Sequence, residues 1–344
     1  MMRVAKADVV ASAVFGKVLL ARLMLLLLFA ALFVAPRAEA VSLASVPRYA
    51  AILVDADSGE VLYARNPDEA RHPASITKVM TLYLAFEALE SKQLKLSDRL
   101  YFSANATAQP PSKLGIPRGQ SISVEQAIGA LTTKSANDVA VALAERLGGS
   151  EIVFARAMTE KAKELGMHST AFYNASGLPN AAHHTTARDL AILSKALIRN
   201  FPQYYAYFKE QQFEFGGRVM PSHNKLLGKV VGLDGIKTGF TNASGYTLAA
   251  SAQRDGKRLI AVVLGAPSSA SRNANIEALI EAGFKVLKKR KLGEQLTVAE
   301  SMLELPQGLD LGQAIMEQGS SDDVSVWRSA IRSDKGAPAT AAPN

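Results

Sequence analysis

Ser75-Ile76-Thr77-Lys78 places a hydroxyl and an amine three residues apart where a helical pattern begins, so that one turn stacks the two groups on one face. A serine beside such a lysine is a candidate activated nucleophile, with the amine as its base. Val79, Leu82, Tyr83, Phe86 and Leu89 recur at helical spacing and predict a helix over 79–91, with His72-Pro73-Ala74 as a non-helical approach. Lys78 falls at the edge of that apolar stripe, where partial desolvation favours the neutral amine. The same spacing recurs at Ser222-His223-Asn224-Lys225, so the pair needs support from elsewhere in the chain.

That support comes from order. Ser135-Ala136-Asn137 begins 60 residues after Ser75, and Lys237-Thr238-Gly239 follows after about a hundred more. Ser-x-Asn occurs at Ser103, Ser135, Ser222 and Ser271, whereas Lys-Thr-Gly occurs once, so specificity lies in placement. The helical pattern of 124–131 breaks at Ser135-Ala136-Asn137, resumes over 138–147 and stops at Gly148-Gly149; Ser150 then caps another helix reaching Leu165. Lys237 falls on the first of three apolar, β-leaning segments, 235–240, 245–252 and 257–264, the last two joined by Arg254-Asp255-Gly256.

The alternating stretch 48–63 reads as two short strands around Asp57-Ser58-Gly59, and 103–119, with three prolines, as a surface loop. Segments 187–199 and 272–291 read as helices, the second with a basic end that complements its dipole. Strands at both ends with helices between predict an α+β fold: an antiparallel sheet flanked by helices, with an all-helical subdomain. His183-His184 lies in the turn-rich 172–186. Neighbouring histidines diverge in direction and no third ligand stands at a supporting spacing, so no metal site is expected there.

The chain has 344 residues, no cysteine and a formal charge of +8. Arg3, Lys6, Lys17 and Arg22, a short apolar run over 23–35 and the small-x-small Ala38-Glu39-Ala40 make 1–40 read as a secretory signal, too short for a comfortable membrane span. Cleavage before Val41 removes five basic and two acidic residues and leaves +5. That excess is spread along the chain, which disfavours nucleic acid as a partner and suits a polyanionic envelope surface equally well. The expected organisation is a catalytic domain over 41–292 and a short extension over 293–344, whose Ala/Pro/Gly-rich end is expected to be disordered.

With these residues in this order, the chain resembles the serine D-alanyl-D-alanine carboxypeptidases, the low-molecular-mass penicillin-binding proteins, over about 45–290. Supporting stretches are Pro73-Ala74 before Ser75, Asn137-Asp138 leading into an Ala-rich helix, Gly177-Leu178, His184-Thr185-Thr186, Asp189-Leu190-Ala191, His223-Asn224, Asp234-Gly235-Ile236 before Lys237, and Ser244-Gly245-Tyr246. The resemblance implies a β-lactamase/transpeptidase-like fold. It further implies a nucleophile, Ser75, with Lys78 as general base and Ser135 as a proton relay to the leaving amine. Asn137 would hold the substrate peptide, Lys237 would add positive potential, and Thr238 and, with less support, Arg272 would bind the terminal carboxylate. Gly239 would allow close approach, and the N–H groups of Ser75 and Phe240 would form the oxyanion hole.

The implied substrate is a peptidoglycan stem peptide ending in D-Ala-D-Ala, with β-lactams as covalent inhibitors, no cofactor or metal, and a periplasmic location. Phe240 stands where some members have histidine, so a greasier pocket rim is expected. The C-terminal end lacks an amphipathic anchor, and membrane association would need another route. A DD-endopeptidase and a non-catalytic peptidoglycan-binding protein are alternatives on the same scaffold. So is a β-lactamase, although the Leu-Asn of the class A deacylation loop is absent from the chain.

Overall fold

The computed structural model describes residues 48–303. The expected leader over 1–40 and the expected disordered tail lie outside the described residues. The C-terminal extension is described only as far as Leu303.

The sequence pattern resolves into one five-stranded antiparallel sheet: β1 (Ala50–Asp55), β2 (Val61–Arg65), β7 (Leu233–Thr241), β8 (Gly245–Arg254) and β9 (Lys257–Ala266), in the order β2-β1-β9-β8-β7. Two ladders stand apart from it: β3 (Arg99–Tyr101) with β4 (Ser121–Ser123), and β5 (Gln212–Phe215) with β6 (Arg218–Pro221). Neither was expected from the sequence. The stretch read as alternating around β1 is in fact buried at every position of that strand. The cause is two-sided packing: Ala50, Ile52 and Val54 face one apolar layer while Ala51 and Leu53 face another. On β9, Ile260, Val262 and Leu264 likewise oppose Leu259, Ala261 and Val263.

The helices fill both layers. One face of the sheet packs against α6 (Ser269–Lys291) through Ile276, Leu279, Ile280 and Val286. Gly283 lets that helix close on the sheet, since a Cβ there would lie 2.7 Å from Leu53 and Leu259. Beyond it lies α7 (Val298–Leu303).

On the opposite face α5 (Ala187–Asn200) packs on β1, β8 and β9 and α1 (Thr77–Glu90) meets β7. There α3 (Asn137–Gly148) and α4 (Glu151–Glu164) stack on α1 and on each other, and α2 (Val124–Gly129) on α3, as a helical subdomain. Ser123 opens α2 with a reciprocal capping box to Gln126, and Ser150 and Thr186 cap α4 and α5. α1 is buried almost all round, as befits the central helix of its layer. A fully buried Leu82 or Phe86 contributes about 1.5–3 kcal/mol. The expected surface loop over 103–119 contains a short helix, Ala104–Ala108, capped by Ser103. Among the described residues no helix is long and apolar enough to cross a membrane.

Candidate active site

Ser75 lies in a 3-10 turn, Ala74–Ile76, that leads directly into α1. The expected non-helical approach holds at His72 and Pro73, which precede the turn outside any helix, although Pro73 itself takes helical angles and Ala74 opens the turn left-handed at φ 49°. The proline ring fixes a φ that a helical turn accepts, and the reversal at Ala74 turns the chain so that Ser75 faces outward. Two glycines make room for this turn. A Cβ on Gly177 (φ +82°) would meet the carbonyl oxygen of Ala74 at 1.8 Å, and one on Gly239 would meet the backbone nitrogen of Ser75 at 2.9 Å.

Lys78 is not at the edge of an apolar stripe but wholly buried. A roof formed by residues from α3 and from the turn at 174–177 covers it. Its Nζ lies 3.0 Å from Ser75 Oγ and donates to Asn137 Oδ1 at 2.8 Å and to Ser176 O at 2.6 Å. Burial, and then the charge of Lys237, hold its pKa well below the usual lysine range, with Asp138 opposing. A neutral amine has two N–H groups and one lone pair. With the hydrogens directed at Asn137 and Ser176, the lone pair is left for the Ser75 hydroxyl.

The polar break reaches the same cleft. A wide π turn over Ala130–Lys134 ends at Ser135, which is left-handed at φ 62°, and α3 starts at Asn137. Ser135 Oγ is buried with no hydrogen-bond partner. Asn137 is tied to the loop at 110–112: its Nδ2 donates to Pro110 O at 2.9 Å and its backbone N–H to Ser112 O at 2.7 Å. Asp138 fixes the rest of that loop by accepting from the N–H groups of Leu114 at 3.0 Å and Gly115 at 2.8 Å.

β7 is the edge strand that closes the other wall. Lys237 is buried there, donates to Thr238 O at 3.1 Å, and is pushed down to about 7 by burial and by Arg272. Arg272, in the first turns of α6, donates to Asn273 Oδ1 through Nε at 3.0 Å and Nη2 at 2.7 Å. Burial lowers its pKa to about 10, with Tyr246 opposing. The Phe240 ring is 50% exposed and rests on Tyr246 with centroids 4.3 Å apart, giving the rim an aromatic pair.

Together these walls enclose a cleft of about 500 Å³ lined by Ser75, Ser135, Asn137, Thr238, Gly239, Phe240 and Arg272, among others, and by no carboxylate. Sequence reasoning missed Ser176, whose carbonyl completes the lysine cage, and Ser112. The signal for Ser176 was the neighbouring Asn174, whose Oδ1 accepts from the N–H groups of Ser176 and Gly177 at 3.2 and 2.7 Å. His183 is buried with Nε2 2.9 Å from Thr77 Oγ1, while His184 pairs with Ala171 in an isolated bridge. Among the described residues no group of histidine, aspartate and glutamate is arranged to hold a metal.

A profile of the family described as D-alanyl-D-alanine carboxypeptidase, Peptidase S11, matches residues 37–268. D-alanyl-D-alanine carboxypeptidase DacF of Bacillus subtilis is 33% identical over 281 residues, covering 80% of this chain and 71% of its own. DacC of Escherichia coli is 38% identical over 254 residues, covering 72% of this chain and 64% of its own. Penicillin binding protein 5 from Haemophilus influenzae superposes with a TM-score of 0.67 at 34% identity, over 69% of this chain and 70% of that one. Penicillin-Binding Protein D2 from Listeria monocytogenes, solved in a cefotaxime-bound form, gives 0.63 at 36% identity, over 68% and 96%.

Proposed function

The chain belongs to the D-alanyl-D-alanine carboxypeptidase family and is a serine hydrolase of the penicillin-binding type, and from that premise we propose that it releases the terminal D-alanine of peptidoglycan stem peptides through an acyl-enzyme on Ser75. The observation that carries this reading is the 3.0 Å separation of Ser75 Oγ from a buried amine whose other two directions are occupied.

In this reading Ser75 Oγ bonds to the carbonyl carbon of the penultimate D-alanine, and its proton passes to Lys78 Nζ. The N–H groups of Ser75 and Phe240 receive the developing oxyanion. Ser135, whose hydroxyl has no partner, gives its proton to the departing amine and takes one from the Lys78 ammonium, so the C–N bond breaks, free D-alanine leaves and Lys78 is neutral again. Asn137 borders the scissile peptide. Thr238 and the Arg272 guanidinium receive the terminal carboxylate, with Lys237 adding positive potential when protonated. Water then hydrolyses the acyl-ester. The expected leader supports work in the periplasm.

Intact mass after brief exposure to penicillin tests this, paired with release of D-alanine from a stem pentapeptide. The expected result is a lasting adduct and D-alanine release, both absent in Ser75→Ala. Destroyed penicillin without an adduct would assign a β-lactamase. Unmodified protein and intact peptide would assign a binding role.

A further inference from the structure

At the end of the molecule remote from the cleft, basic residues of two elements converge. Arg254, Asp255 and Lys257 at the β8–β9 turn and Glu281, Phe284, Lys285, Lys288 and Lys291 on α6 line one groove of about 400 Å³. The acids there are largely spoken for. Arg254 pairs with Glu281 and lies over the Phe284 ring at 4.5 Å, Lys257 pairs with Asp57 at 3.5 Å, Lys289 with Glu294 at 2.5 Å, and Arg290 with Glu60 at 2.8 Å. No carboxylate pairs with Lys288 or Lys291 among the described residues. Two of the most exposed apolar side chains border this cluster: Leu292, 71% exposed, next to Lys291, and Val231, 71% exposed, whose carbonyl accepts from Arg254 Nε at 2.9 Å.

We propose that this basic face, with Leu292 and Val231 at its margin, docks the protein on an anionic lipid bilayer. Charge complementarity identifies the partner: surplus ammonium groups on one face seek a surface of phosphate headgroups. The exposed apolar side chains separate lipid from a soluble polyanion, because only a bilayer offers acyl chains beneath its charge. The orientation follows from the fold. α6 has 23 residues, with Arg272 in the cleft near its start and Lys288 and Lys291 at its end. β8 runs from Tyr246 at the cleft rim to Arg254 in the groove. Both give a separation of roughly 25 Å. Docking through the basic face therefore turns the cleft away from the membrane, towards the cell-wall peptides of the proposed function. The docking itself does not depend on that function.

Co-sedimentation of the full chain with large vesicles tests the proposal, comparing phosphatidylcholine alone with phosphatidylcholine containing phosphatidylglycerol. The wild type is expected to partition to the anionic vesicles more strongly, in a salt-sensitive way. Lys285→Gln/Lys288→Gln/Lys291→Gln is expected to lose about fivefold per lysine, on the order of a hundredfold in all. Leu292→Ser should weaken binding further, and penicillin acylation should be unchanged in every variant. The N-terminal residues are common to all variants, so the differences isolate this face. Equal binding to both vesicle types, or anionic binding undiminished in the triple variant, would overturn the proposal. So would binding that soluble polyphosphate abolishes while Leu292→Ser leaves it intact, since that would assign the face to a soluble polyanion.

Discussion

Asn137 Oδ1 accepts from Lys78 Nζ at 2.8 Å, so the residue that opens α3 also sets the charge environment of the candidate base. An amide there tolerates a neutral amine, whereas a carboxylate would favour the ammonium by one to three pKa units, as a close opposite charge typically does. Asn137→Asp is therefore expected to slow penicillin acylation at neutral pH by about tenfold to a thousandfold and to recover as pH rises. Acylation rates across pH 6 to 10 check this. An unshifted profile would remove Asn137 from control of Lys78.

Lys237 acts on Lys78 through charge. Its protonated form is the second-largest cause, after burial, of the lowered Lys78 pKa. Replacing it by glutamine is expected to raise the Lys78 pKa, moving the acid limb of the acylation profile to higher pH. Because Lys237 itself titrates near 7, the limb of the wild type belongs to the pair and not to one residue. A limb that stays in place in Lys237→Gln would show that burial alone sets the base.

Ser135 combines a left-handed backbone with a buried, unpartnered hydroxyl. Both are costs to stability of the kind that cluster at functional sites. Ser135→Gly is expected to gain about 1 kcal/mol in urea unfolding while losing most carboxypeptidase turnover. A variant that is both less stable and fully active would contradict this on both counts.

Gly177 has no space for a side chain. Alanine there would combine φ +82° with a Cβ 1.8 Å from the carbonyl of Ala74, so the Ser75 turn must move. Gly177→Ala is expected to destabilise the protein by about 2–4 kcal/mol and to slow acylation even where it remains folded. Unfolding midpoints and adduct formation measured on the same sample separate the two effects.

His183 is held neutral, its pKa pushed down to about 4 by burial and then by His72 and His184. Between pH 6.5 and 4 the unfolded chain binds the proton and the folded one does not, so this residue costs stability as pH falls through that window. His183→Gln is expected to flatten the fall in melting temperature from pH 7 to 4.5. A fall as steep as that of the wild type would place the acid sensitivity elsewhere.

The sequence made local patterns legible. The Ser75 turn, the break at Ser135 and strands β7, β8 and β9 each announce themselves within a dozen residues, by periodicity or by a breaker. Lys78 was placed in the right turn but with too much solvent, because its roof comes from Ser176 and Asn137, far away in the chain. The β5–β6 hairpin was readable: Phe213 and Phe215 alternate before Gly216-Gly217, whose positive φ of 57° and 71° suits a tight hairpin turn. The β3–β4 pair was not, since three residues per strand carry no period and the partner lies some twenty residues away.

The cleft has no carboxylate in its lining. A water molecule that reaches an acyl group on Ser75 meets hydroxyls, amides and amines there, so its activation falls to Lys78 or Ser135 and not to an acid. On the proposed function the penicillin adduct lasts, and the protein then titrates the drug instead of consuming it. Each molecule of penicillin silences one molecule of enzyme, and the dose needed to silence the whole pool follows the number of copies in the cell, not a rate of turnover.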